Sequence, residues 1–185
     1  MAEPDASTSS GMERTLTREH YLSPEMFARE KERIFMREWF CAGREEDLAT
    51  PGSYLVVDVA GESVLAVRTR EGALRAYYNV CRHRGCQLVL TGADSTGCAP
   101  ELAGSFGRGI KCPYHAWTYT LDGALRTAPY LDESAGIHKD ELSLYPVGID
   151  TWGGFFFLNL MPREAAARGH TLSAQIGEAA TRLKN

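Results

Sequence analysis

From Ser53 onward, apolar and polar residues alternate with a period of two. "SYLVVDV" (53–59), "ESVLAVR" (62–68) and "ALRAYYNV" (73–80) predict three β-strands, parted by turns at Ala60-Gly61 and Glu71-Gly72. "AWTYTLDGALRTA" (116–128) carries Asp122-Gly123 at its centre, a strong hairpin signal. "YPVGID" (145–150) and "WGGFFFLNL" (152–160) predict two more strands. Between the third strand and the hairpin, "TGADSTGCAPELAGSFGRG" (91–109) has weak periodicity and is rich in Gly, Ala and Ser. It is expected to be a surface excursion, with Cys98 incidental to it.

The flanks change period. Ser23-Pro24-Glu25 is a helix start, with Ser at the N-cap, Pro at the first helical position and an acid in the first turn. Phe27, Ala28, Ile34, Phe35 and Trp39 then recur at helical spacing. They predict a packed amphipathic helix of about four turns, ending near "EWF". Past residue 161, Leu172, Ile176, Ala179 and Leu183 fall on one helical face. The expected organisation is a solvated tail over 1–13, a helical segment over 14–40, a mainly β, antiparallel domain over 41–160 and a helical segment over 161–185. The last of these either packs back on the β domain or opens a further domain.

Composition narrows the class. Of the 185 residues, 44% are hydrophobic, enough for a real core. A net charge of −4 argues against a nucleic-acid partner. No apolar run reaches membrane-spanning length, and the first dozen residues lack the basic and apolar regions of a secretory signal. The expectation is a cytoplasmic protein with no membrane partner, in which clustered cysteines suggest metal rather than disulfides.

Five cysteines and five histidines are unevenly placed. "CRHRGC" (81–86) holds Cys81 and His83, and "KCPYHAW" (111–117) holds Cys112 and His115. The first follows a predicted strand and the second precedes one, so both should lie on loops at a sheet end. Two thiolates and two imidazoles make a full four-ligand set. Zinc would accept it, and so would a two-iron, two-sulfide cluster with both cysteines on one iron and both histidines on the other. A C-x-H pair is tighter than the usual zinc spacings, which favours iron–sulfur. Gly85 suits a loop needing positive φ, and Pro113 stiffens the other tip. Cys41 reads as a core residue.

C-x-H-R-G plus C-P-Y-H-A-W resembles the Rieske [2Fe–2S] signature. It resembles in particular the version in α subunits of Rieske non-haem iron oxygenases of the aromatic ring-hydroxylating type. "NVCRHRG", "CPYHAWTY" with its following "LDG", and "WGGFFFLN" stand in family order, and the resemblance extends over residues 14–160. It implies a Rieske-type antiparallel β domain whose Cys81 and Cys112 hold the buried iron and whose His83 and His115 hold the exposed one. It also implies a ferredoxin or flavin reductase as electron donor. The acceptor would be a mononuclear iron in a catalytic domain or neighbouring α subunit of a trimer, bridged through His115.

Such subunits normally continue into that catalytic domain, whose iron sits on two histidines and a carboxylate. The remaining histidines, His20, His138 and His170, form no such set and are expected at the surface. The oxygen-activating site is therefore not expected in this chain, and none of its residues is expected to be catalytic. In quinol-oxidising Rieske proteins a cysteine at the place of Cys86 pairs with one in the second box. Tyr114 stands there instead, which leaves Cys86 a small, half-buried thiol. Where those high-potential proteins carry a serine, this chain has Trp117 after Ala116, so the expected potential is near the bottom of the Rieske range, roughly −150 mV. Arg82 and Arg84 are either solvated loop charges or docking charges for an acidic redox partner. Trp117 and Tyr119 are expected to pack beneath the second loop. Two other readings are a free-standing Rieske ferredoxin and a structural zinc module for protein contacts.

Overall fold

The computed structural model describes residues 15–92, 102–132, 136 and 138–182. Among the described residues, ten strands form two antiparallel sheets. The larger has the order β1-β10-β9-β4-β3-β2-β5, built from β1 (Phe40–Arg44), β2 (Ser53–Val59), β3 (Glu62–Arg68), β4 (Leu74–Tyr78), β5 (Ala103–Ser105), β9 (Pro146–Trp152) and β10 (Phe155–Asn159). The smaller holds β6 (Ile110–Lys111), β7 (Thr118–Tyr119) and β8 (Leu125–Thr127). This is the mainly β, antiparallel class expected from the alternation.

The central strand β3 explains its own sequence. Val64 and Ala66 face one core with Leu48, Ala76, Phe156 and Leu158. Leu65 and Val67 face a second core with Tyr77, Ile110, Trp117 and Tyr119. A strand buried on both faces reads as a continuous apolar run, and "VLAV" is one. The second core lies between the two sheets and includes Cys81 and Cys112.

Turns fall where glycine predicts them. Ala60 and Gly61 have φ of 50° and 89°, joining β2 to β3. Gly123, with φ 83°, closes the β7–β8 hairpin against Tyr77, whose ring would lie 2.6 Å from any added Cβ. Backbone glycine is thus required twice there, by conformation and by contact.

Four expectations are corrected. The predicted four-turn helix is instead α1 (Arg18–Leu22), α2 (Pro24–Glu30) and a π-helical turn over Lys31–Phe35. Ser23 caps α2 as expected, accepting the Met26 N–H at 3.1 Å. The π turn shifts the register, so Phe35 and Met36 reach the core while Phe27 and Ile34 remain exposed. Part of the 91–109 excursion is sheet: Ala103–Ser105 pairs with β2, and Phe106 stacks on Tyr54 with centroids 4.4 Å apart. Cys98 lies outside the described residues. Cys41 is exposed, not core, because edge strand β1 turns Phe40 and Ala42 inward and Cys41 out.

The fourth correction concerns the C-terminal stretch, which breaks into α3 (Pro162–Ala167), α4 (Leu172–Ile176) and α5 (Ala179–Arg182). Leu172 is buried, Ile176 half-buried and Ala179 exposed, so these three do not share one buried face; Leu183 lies outside the described residues. This stretch does pack back. The Gln175 side chain accepts the Trp39 N–H at 2.8 Å and donates to the Trp39 carbonyl at 2.6 Å. The Trp39 indole N–H donates to the His170 carbonyl at 3.0 Å. Among the described residues, no helix is long and apolar enough to cross a membrane.

Candidate metal centre

The two Cys/His loops share one closure. In the first, the Gly85 N–H donates to the Cys81 carbonyl at 3.1 Å and the Cys81 N–H to the Cys86 carbonyl at 2.8 Å. In the second, the Ala116 N–H donates to the Cys112 carbonyl at 3.2 Å and the Cys112 N–H to the Trp117 carbonyl at 2.8 Å. Each loop thus folds back on its own cysteine. The fourth residue after the cysteine is left-handed in both, with φ 69° at Gly85 and 58° at Ala116. The glycine was expected there; the alanine holds the same conformation at a cost of about 1 kcal/mol.

The second loop joins β6 to β7. The first follows β4 and hangs on Asn79, which is buried at the strand end. The Asn79 side-chain oxygen accepts the N–H groups of Leu88 and Val89, and its amide donates to Ser63 Oγ and the Val89 carbonyl. One side chain thereby ties the far end of the loop back to the strand.

The four candidate ligands come together as two unlike pairs. Cys81 and Cys112 are 3% and 2% exposed, and their sulfurs lie close enough to perturb each other. His83 and His115 are half-exposed, with Nδ1 facing Nδ1 at 3.2 Å. The thiols lie inside and the imidazoles outside. Among the described residues, no three His, Cys, Asp or Glu side chains converge as ligands of one ion. A thiol pair beneath an imidazole pair fits a two-metal group better than a single tetrahedral ion.

Electrostatics suit a neutral imidazole at His83. Burial holds His83 below the usual imidazole range, and His115 and Arg84 push it the same way. Burial raises the Cys81 thiol, while the Tyr119 hydroxyl draws it down. Tyr119 is fully buried and its oxygen lies 3.2 Å from Cys81 Sγ. That oxygen accepts the Arg82 N–H at 3.1 Å, which leaves its own proton for the sulfur. Burial first, and the Cys81 sulfur next, raise the phenol well above its ordinary range, so it stays a donor. Tyr119 and Trp117 are buried as expected of packing residues, but their specific contacts are with the first loop: Tyr119 with Cys81 and Arg82, and Trp117 with His83. The hydrogen bond from Tyr119 and the capping by Asn79 were not foreseen. A polar Asn between "YY" and "VC" was the available signal for the second.

The two arginines divide. Arg82 is half-buried, donates to the Ser143 carbonyl at 2.6 Å and stacks over Tyr145 at 4.0 Å, whereas Arg84 is exposed. Cys86 is half-buried as expected, and its thiol donates to the Gln87 carbonyl at 3.3 Å. His20 and His138 are exposed. His170 departs from its surface reading: it is half-buried, with Nε2 3.2 Å from Glu38.

Comparison with known proteins agrees with this geometry. Residues 38–146 match the Rieske [2Fe-2S] domain family. The oxygenase subunit of carnitine monooxygenase from Escherichia coli strain K12 is 35% identical over 167 residues, covering 89% of this chain and 42% of that protein. The Acinetobacter baumannii counterpart is 37% identical over 146 residues, covering 79% of this chain and 36% of that protein. The chain therefore spans well under half the length of these relatives. Among solved structures, the apo form of the quaternary ammonium Rieske monooxygenase CntA is similar with a TM-score of 0.77 and 34% identity, over 91% of this chain and 45% of that one. A naphthalene 1,2-dioxygenase is similar with a TM-score of 0.68 and 28% identity, over 84% of this chain and 32% of that one. The chain belongs to the Rieske [2Fe–2S] domain family, and the relatives it resembles are oxygenase subunits of Rieske oxygenases.

Proposed function

We propose that this chain is the one-electron relay of a Rieske oxygenase, with Cys81, His83, Cys112 and His115 holding the [2Fe–2S] cluster. The observation that carries the reading is the buried thiol pair beneath two facing Nδ1 atoms. When bound, the cluster takes up and releases single electrons at low potential. The chain's own residues do the rest. Cys81 and Cys112 anchor the inner side, and Tyr119 donates a hydrogen bond to the Cys81 sulfur. His83 and His115 present the outer side to solvent and partners.

Electrons would come from a ferredoxin or flavin reductase. They would pass to a mononuclear iron in a catalytic domain or neighbouring subunit of a trimer, for O2-dependent hydroxylation by one atom or two. The relatives named for carnitine and for quaternary ammonium compounds favour a quaternary ammonium substrate. The free cysteines among the described residues support a cytoplasmic setting.

Anaerobic reconstitution with iron and sulfide tests the assignment. The expected product is red-brown, with two irons and two sulfides per chain and a rhombic EPR signal on reduction. Cys81→Ser and Cys112→Ser should each abolish it. One zinc per chain and no labile sulfide would overturn the reading in favour of a structural metal module.

A further inference from the structure

The two outer imidazoles have unequal surroundings. The His83 ring lies flat on the Trp117 indole, with centroids 4.6 Å apart and planes 10° apart. Trp117 is itself fixed. It is 4% exposed, its indole N–H donates to the Pro129 carbonyl at 3.3 Å, and its carbonyl accepts the Cys112 N–H. A side chain of the second loop thus clamps a ligand of the first. His115 has a different neighbour, Tyr114, with centroids 3.7 Å apart, and Tyr114 is 60% exposed. The residue that matches Trp117 in the first loop is Cys86, which has no ring to stack on His115.

We propose that Trp117 is a positioning residue that fixes the ring plane of His83, so that one imidazole of the pair is rigid and the other, His115, can turn. The proposal rests on the ligand reading above. Parallel stacking on a buried indole restricts rotation about the imidazole's second torsion, which is otherwise broad. A solvent-exposed neighbour restricts it far less. The stacked pair also forms a wall of a recess of about 370 Å³, lined further by Arg82, Tyr130, Leu131 and Leu142. The orientation of His83 therefore decides what that ring presents to the recess.

The test compares wild type, Trp117→Phe, Trp117→Leu and Tyr114→Ala, each reconstituted and assayed for iron and sulfide. Pulsed EPR of the reduced samples reads the nitrogen hyperfine couplings. Wild type should show one narrow and one broad nitrogen set. Trp117→Leu should broaden the narrow set, Trp117→Phe should keep it, and Tyr114→Ala should leave it alone. Unchanged couplings in a fully loaded Trp117→Leu sample would overturn the proposal. If Trp117→Leu does not load, the metal-free chains decide by NMR. The indole ring current should displace the His83 carbon-bound proton signals in wild type, and this displacement should vanish in Trp117→Leu. No such displacement in wild type would also overturn it. Wild type lacking iron and sulfide would instead sink the ligand assignment, while the NMR arm still reads the clamp.

Discussion

Tyr119 carries the hydroxyl that Ala116 and Trp117 cannot supply. Its oxygen accepts the Arg82 N–H and lies 3.2 Å from the Cys81 sulfur, so with Cys81 as a thiolate its O–H is the donor to that sulfur. A hydrogen bond to a thiolate stabilises the reduced, more electron-rich centre and so raises the potential. Tyr119→Phe removes about 1 kcal/mol of that stabilisation, which for one electron is a drop of about 40 mV. A redox titration of the two proteins checks this, and an unchanged potential would mean the hydroxyl does not reach the sulfur. Ala116 offers a second residue-level test. Its loop twin is a glycine at nearly the same φ, so Ala116→Gly relieves left-handed strain and gives some of it back in unfolded-chain entropy. The loaded protein should gain up to about 1 kcal/mol in denaturant titrations, whereas Ala116→Val should lose stability.

At the scale of elements, loop 1 depends on Asn79 more than on its own composition. Removing that side chain leaves the Leu88 and Val89 N–H groups and the Val89 carbonyl without their partner. Asn79→Ala is expected to cost about 3 kcal/mol and to lower iron content per chain, while far-UV circular dichroism stays that of the β fold. Full iron loading with unchanged stability would show that the loop holds itself. Strands, hairpins and the ligand boxes were legible because each follows from short-range chemistry: period two, Asp-Gly turns, and Cys and His at close spacing. What was not legible depends on contacts far apart in the chain. Cys41 points outward because β1 is an edge strand, and a local apolar context cannot show which strand is an edge. The π turn at Lys31–Phe35 serves packing of Phe35 and Met36 on a core gathered from Leu48 to Leu160, all of it outside the local helical pattern. Gly104 and Ala103 make poor strand formers, yet β2 recruits them, and a Cβ at 104 would meet the Tyr54 hydroxyl at 2.8 Å. His170 was read alone, and Glu38 came to it only through the fold.

At the scale of the molecule, the small sheet β6-β7-β8 pairs with none of the seven strands of the large one. Among the described residues the polar links between the two parts are few: the Tyr77 hydroxyl donates to the Leu121 carbonyl at 3.1 Å, the Leu144 N–H to the Gly123 carbonyl at 2.8 Å and the Arg82 N–H to the Tyr119 hydroxyl at 3.1 Å, with Arg75 3.7 Å from Asp122. The rest of the joint is the apolar core around Cys81, Cys112, Trp117 and Tyr119. If Cys81 and Cys112 hold the cluster as proposed, they would cross-link the two sheets through it, closing a long stretch of chain in the unfolded ensemble as a disulfide would. Hydrogen–deuterium exchange should report this. In the metal-free chain, amides of β6, β7 and β8 should exchange faster than those of β3 and β4, as a separately opening unit. With the cluster in place the two groups should converge towards one global rate. Equal protection in both forms would show that the core alone welds the sheets. A seam with so few ladder bonds also sets the order of failure: oxidative loss of the cluster would release the small sheet first. A protease would then find its entry between Gly107 and Thr127 before any part of the larger sheet had opened.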